Sequence, residues 1–173
     1  IRDRYCHEDD FSIFIVYVDD LMLAASIAAT LKHWRNLEKF IEFKDPEASI
    51  DRYLGAYHRL AEFDPKRPLA VRTFALSMAD YAKNAVAKFK ATRPVTLKKV
   101  STPYIEDDET MVDAVGLYSS SCSSHAATLL FLARVCRPDL STIVPRLCSN
   151  VTRWTTTDDR RLIRTMSYIC LLY

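Results

Sequence analysis

The chain has 173 residues, 49% of them hydrophobic, with a formal net charge of +2 and five scattered cysteines. That length suits one domain or two small ones with a sizeable core. No apolar run approaches the roughly 18–20 residues that cross a bilayer. An odd cysteine count without a Cys-x-x-Cys pair argues against a disulfide framework or a zinc knuckle, so reduced thiols in an intracellular protein are expected. Arg2-Asp-Arg4 leads into His7-Glu-Asp-Asp10 with no apolar stretch, which does not resemble a signal peptide.

Phe11 to Ala25 reads as two apolar ribbons rich in Ile, Val and Phe, interrupted by Asp19 and Asp20. Two acids between two such runs predict a hairpin tip. Alternation sets Ile13, Ile15, Tyr17 and Asp19 on one face, and Phe14, Val16, Val18 and Asp20 on the other. Ser26 caps a predicted helix over 27–43, with Ile27, Leu31, Trp34 and Ile41 as its apolar stripe. Pro46 ends it. Residues 50–63 alternate like a strand, 64–68 read as a turn, and 69–74 as an antiparallel return strand. A helix is expected over 75–90, with Met78, Ala82, Val86 and Phe89 inward. Residues 91–117 read as loop, and 119–135 as a helix with a Ser-rich start. A further helix is expected over 139–151, which Pro145 should kink or destabilise by about 3 kcal/mol. Thr155 to Thr157 with Asp158 and Asp159 open a last helix. The expected fold class is α+β: antiparallel hairpins with a packed helix over 1–74, then an all-helical region over 75–173.

Carboxylates at the end of a rigid apolar ribbon suit hard divalent cations, which bind through oxygen. An ordinary solvated Asp-Asp turn has the same pattern, and the residues alone leave both readings open. Charge is uneven. Residues 1–70 carry 10 Lys or Arg against 13 Asp or Glu, and residues 71–173 carry 14 against 9. Lys83, Lys88, Lys90, Arg93, Lys98 and Lys99 form the richest basic stretch, whose natural partner is phosphate. The alternative is a solvated helix end, where lysine complements the dipole. Arg160, Arg161 and Arg164 form a second basic cluster. The four histidines show no metal spacing, and Trp34 and Trp154 are expected in the core.

Tyr17-Val18-Asp19-Asp20 resembles the Tyr-x-Asp-Asp signature of reverse transcriptases. Its companions sharpen the likeness to copia-type retrotransposon reverse transcriptases. They are Tyr53-Leu54-Gly55, Val100-Ser-Thr-Pro103, Leu129-Leu-Phe-Leu-Ala133 followed by Arg137-Pro-Asp139, and the helix from Arg161 to Ile169. Their order and approximate spacing agree from Phe11 to the end. The chain departs from the family over 119–128, and at Pro145, where the family keeps an unbroken helix.

The resemblance implies a partial polymerase palm over 1–74 and a helical thumb and connection over 75–173. It implies Asp19 and Asp20 as ligands of Mg²⁺ or Mn²⁺, and Tyr17 beneath the primer end. Partners would be an RNA/DNA template–primer duplex and a dNTP, in a cytoplasmic particle or the nucleus. The family's first catalytic Asp lies on an upstream strand, so the expectation is a fragment lacking the fingers and that strand, inactive by itself. A non-catalytic nucleic-acid-binding or degenerate remnant is the alternative.

Overall fold

The computed structural model describes residues 2–7, 11–43, 51–60, 74–106 and 114–171. The chain divides into two compact units, Ile1–Ala75 and Leu76–Tyr173. Among the described residues the first holds small antiparallel sheets and one α-helix, and the second four α-helices and a short 3-10 turn, so the architecture is mixed α+β. Among the described residues no helix is long and apolar enough to cross a membrane.

In the first unit, β1 (Arg2–His7), β2 (Ser12–Tyr17) and β3 (Asp20–Ala24) form an antiparallel sheet in that order. The strand β1 has no counterpart in the sequence expectations. The apolar ribbons become β2 and β3, joined by the two-residue turn Val18–Asp19. Val18 has φ 56° while Asp19 is not left-handed. Positive φ at the first turn position is a conformation that favours glycine, and a β-branched residue is strained there. The tightness of this turn corrects the expected alternation. Tyr17 pairs with Asp20, Ile15 with Met22 and Ile13 with Ala24. Cross-strand partners share a face, so Asp20 lies on the Tyr17 face, and Asp19 sits in the turn rather than on a strand.

The opposite face carries Ser12, Phe14 and Val16, and α1 (Ile27–Leu37) packs there. The Trp34 ring meets Phe14 edge-on at 6.2 Å, and the Ser12 hydroxyl lies 3.1 Å from His33 Nε2. Ser26 caps α1 as expected, its hydroxyl accepting from the Ala29 N–H at 3.3 Å. The helix stops six residues short of the predicted end. The N–H groups of Phe40 and Ile41 both turn back to the Leu37 carbonyl, which returns Phe43 to the Trp34 ring at 5.4 Å. A continuous helix would place Phe43 nine residues on, about 180° away from Trp34. The predicted stripe is also rotated. Ala29 is the buried residue, whereas Ile27 is 85% and Leu31 41% exposed.

The expected continuous strand over 50–63 is instead a tight hairpin. β4 (Arg52–Tyr53) turns through Leu54 (φ 48°) and Gly55 (φ 75°) into β5 (Ala56–Leu60). Two successive positive φ values match the hairpin turn that twists with its strands. Residues 61–73, where a turn and a return strand were expected, lie outside the described residues. β6 (Phe74–Ser77) is the third strand of this sheet, and the Phe74 ring meets His58 at 5.3 Å. It occupies the start of the helix expected from residue 75.

In the second unit, α2 (Ala79–Thr92) contacts α3 (Cys122–Val135) and α5 (Thr156–Cys170), while α4 (Ile143–Ser149) contacts α3 and α5. The four helices therefore close a ring around one core. The predicted inward residues Met78, Ala82, Val86 and Phe89 are all buried. They meet a core that includes Leu129, Leu132, Leu147, Leu162 and Ile169. Burying each such Leu or Ile contributes roughly 1.5–3 kcal/mol. The predicted helix over 139–151 splits into a short 3-10 turn at Pro138–Leu140 and α4. Pro145 is the third residue of α4, where backbone N–H groups have no intrahelical acceptor. Neither a kink nor the 3 kcal/mol penalty arises, because the ring removes no hydrogen bond there.

A buried polar network ties the start of α5 to the chain ahead of it. The Asp158 carboxylate accepts from the Thr155 N–H at 3.1 Å, from Asn150 Nδ2 at 2.9 Å and from Arg161 Nη1 at 2.8 Å. Asp159 accepts from Trp154 Nε1 at 2.7 Å and from the N–H groups of Leu117 and Tyr118. Gly116 is pressed into this network. A Cβ added there would lie 2.5 Å from the Thr155 carbonyl oxygen and 2.6 Å from Trp154 Cδ1. Gly116→Ala is therefore expected to lower stability by about 1–3 kcal/mol through overpacking. Urea unfolding followed by far-UV circular dichroism checks this, and an unchanged midpoint would contradict it.

Candidate functional site

The tip of the β2–β3 hairpin is open to solvent. Asp19 and Asp20 are exposed, Val18 is 77% exposed and Tyr17 41%. Neither carboxylate has a hydrogen-bond or ion-pair partner among the described residues. The tip thus presents two adjacent free carboxylates, with Tyr17 directly across from Asp20. Such oxygen donors suit Mg²⁺ or Mn²⁺ in kind. They are too few to enclose a cation, and among the described residues no group of three or more His, Cys, Asp or Glu converges.

All six residues of the predicted basic stretch are exposed. Lys83 Nζ lies 3.9 Å from Asp80, with both side chains 57% exposed. Lys88, Lys90, Arg93, Lys98 and Lys99 make no ion pair with a described residue. Unpaired cations keep their full attraction for phosphate, whereas paired ones have to break a contact first. The six do not share one face. Lys83 and Lys90 stand two turns apart on the same side of α2, facing α5, while Lys88 is about 140° round the helix from Lys83 and lies near His125.

No protein-family model matches the chain. No curated protein and no solved structure matches it either.

The second basic cluster does not survive folding as a unit. Arg161 is 5% exposed and its guanidinium is paired with buried Asp158. Arg164 Nε donates to the Thr102 carbonyl, and its Nη2 to the Thr102 hydroxyl, both at 3.0 Å. That clamp fastens the Val100–Pro103 segment to α5. Arg160 alone of the three is exposed. The signal for Arg161 was present in the sequence as an Asp-x-x-Arg pair one helical turn apart, beside a run of apolar positions.

The Arg137-Pro-Asp139 motif is likewise structural. Arg137 Nε and Nη2 grip the Asp139 carboxylate at 2.9 and 2.6 Å, and the guanidinium stacks 5.4 Å from the Tyr168 ring centroid. Hydrogen bonds from Arg137, with a further one from Tyr168, hold the Asp139 carboxyl below its ordinary range. Burial pushes the thiols of Cys122, Cys136 and Cys148 up, which keeps them protonated and unreactive.

Trp154 lies in the core as expected, Trp34 is half-buried against the first sheet, and His125 is a structural residue. Trp154 is 4% exposed and Trp34 is held between Phe14 and Phe43. His125 is buried against Phe89 at 5.3 Å, with Nε2 3.4 Å from the Thr92 hydroxyl. Burial, and then the nearby Lys88 ammonium, lower its pKa from the ordinary 6.5. A neutral ring favoured by the fold contributes stability that is present above the unfolded value. That stability is lost as pH falls from about 6.5 toward the lowered folded pKa. His125→Gln is expected to flatten the stability profile between pH 7 and pH 5, and thermal melts across that range check it.

Proposed function

We propose that this chain is the later palm, thumb and connection of a copia-type reverse transcriptase, an RNA-directed DNA polymerase. The observation that carries the reading is the two-residue turn that puts Asp19 and Asp20, unpaired and exposed, at the end of an apolar sheet. Support also comes from the unpaired cations at Lys88, Lys90, Arg93, Lys98 and Lys99, which suit the backbone of an RNA/DNA duplex. In this reading Asp19 and Asp20 would hold Mg²⁺ or Mn²⁺ together with a carboxylate from an upstream strand. The bound cations would supply charge neutralisation for phosphoryl transfer from a dNTP. Tyr17, across from Asp20, would support the primer end.

The chain by itself is expected not to extend a primer, because two carboxylates on one turn do not complete such a site. The upstream fingers and palm segment, supplied in trans or by fusion, is expected to restore magnesium-dependent extension. Extension by the isolated 173-residue chain would refute the need for that segment. No extension with the segment supplied would favour the second reading, a nucleic-acid-binding or degenerate remnant. The observation behind that second reading is the bare pair of carboxylates, which binds cations weakly without a third ligand.

A further inference from the structure

Thr102 stands directly ahead of Pro103, and no other Ser or Thr in the sequence precedes a proline. Residues 93–106, which hold the pair, form neither helix nor strand, and Thr102 is exposed. Proline disfavours helix in the residue before it and keeps the chain extended there. The Thr102 hydroxyl also has a guanidinium on it already. Arg164 Nη2 donates to Thr102 Oγ1, and Nε to the Thr102 carbonyl, both at 3.0 Å. Arg164 forms no ion pair with a described residue. Its charge thus meets only neutral oxygens, where an anion would bind it more strongly. We propose that Thr102 is a phosphorylation site for a proline-directed Ser/Thr kinase, and that Arg164 receives the phosphate.

In that step the γ-phosphoryl group of ATP moves to Thr102 Oγ1. The new O–P bond forms as the bond to ADP breaks, and the hydroxyl proton passes to the catalytic carboxylate of the kinase. The Thr102 hydroxyl gives up its bond to the Tyr104 carbonyl, 3.2 Å away. In exchange, a group of about −1.5 to −2 charge with three acceptor oxygens stands beside a planar guanidinium fork. No acidic residue lies between Lys98 and Ile105, so the phosphate meets no like charge from its own segment. Thr165 holds the next residue from the same helix, donating to the Pro103 carbonyl at 3.4 Å. The phosphate therefore tightens the loop ahead of α3 onto α5 at a point where bonds from both Arg164 and Thr165 already converge. Ser101 is exposed too, but no cation among the described residues meets its hydroxyl.

The test treats the full chain with an active proline-directed kinase and ATP. Mass spectrometry is expected to find one phosphate, on residue 102, in the wild type and in Thr102→Ser, and none there in Thr102→Ala. The phosphorylated chain is expected to melt about 4 °C or more above the unmodified one, the scale on which one strong contact moves a domain of this size. The second ionisation of the phosphate, ordinarily near pH ~6, is expected to fall lower when followed by phosphorus NMR. Both changes are expected to vanish in Arg164→Gln, compared with its own unmodified form, which separates a phosphate receiver from an arginine that only props the loop. The proposal is overturned by no incorporation, by phosphate on Ser101 instead of Thr102, or by the same rise and the same titration in Arg164→Gln.

Discussion

Asp158→Ala is expected to destabilise the helical unit by about 3–5 kcal/mol, the usual cost of removing one partner from a buried ion pair. Asp158 is 1% exposed and holds Arg161, Asn150 and the Thr155 N–H together. The alanine strips the buried guanidinium of that carboxylate and leaves the first turn of α5 without its cap. Against a typical domain stability of roughly 5–15 kcal/mol, such a loss unfolds much of the population. Urea unfolding in a Trp34→Phe background isolates Trp154 as the reporter of this unit. The double variant Asp158→Leu with Arg161→Met removes both charges and is expected to regain part of the loss, because paired apolar replacement of buried ions is often close to neutral while the Thr155 N–H and Asn150 stay without their acceptor. A midpoint that barely moves in the single variant would show that the network is ornamental.

The second large effect concerns the hairpin and depends on the polymerase reading. Asp19→Asn is expected to reduce primer extension, measured with the upstream segment supplied, by about 100-fold or more. A bound cation stabilises developing charge by several kcal/mol, and about 1.4 kcal/mol is a factor of ten in rate. The variant is isosteric in an exposed turn, so the melting temperature is expected to stay unchanged. Manganese titration of the full chain, read as broadening of Val18 and Asp20 amide signals, is expected to shift to higher concentration in the variant. Wild-type extension by Asp19→Asn would remove the hairpin from the chemistry and leave the unpaired cations as the only support for nucleic-acid contact.

Much of the local structure follows from short-range physics that the residues carry with them. Ser26 ahead of an apolar-periodic run predicts a cap, and its hydroxyl makes the bond to Ala29. Met78, Ala82, Val86 and Phe89 recur at helical spacing, and all four are buried. Thr155 with Asp158 predicts a helix start, and the carboxylate bonds back to the Thr155 N–H. Apolar runs on both sides of Asp19 and Asp20 predict a hairpin, which needs only neighbouring strands and a turn.

What periodicity does not carry is the choice among alternatives of similar local energy. Ile27 and Leu31 form the stronger apolar stripe of α1, yet the helix turns Ala29, His33 and Trp34 toward the sheet, because a small residue allows close approach and Trp34 fills the space beside Phe14. The two acids of the hairpin read alike in the sequence. A two-residue turn places one in the bend and the other opposite Tyr17, since its length sets the register of everything after it. Arg161 and Lys88 are both cations on helices. One is buried against Asp158 and the other is exposed without an ion-pair partner, a difference made by where the packing of α5 places a carboxylate. Residue order by itself determined the helix starts at Ser26 and Thr155, the buried stripe of α2 and the acidic turn between β2 and β3, because those depend on neighbours a few positions apart. Which cations and carboxylates stay available to a partner was decided by tertiary packing, because desolvation and pairing depend on groups far away along the chain.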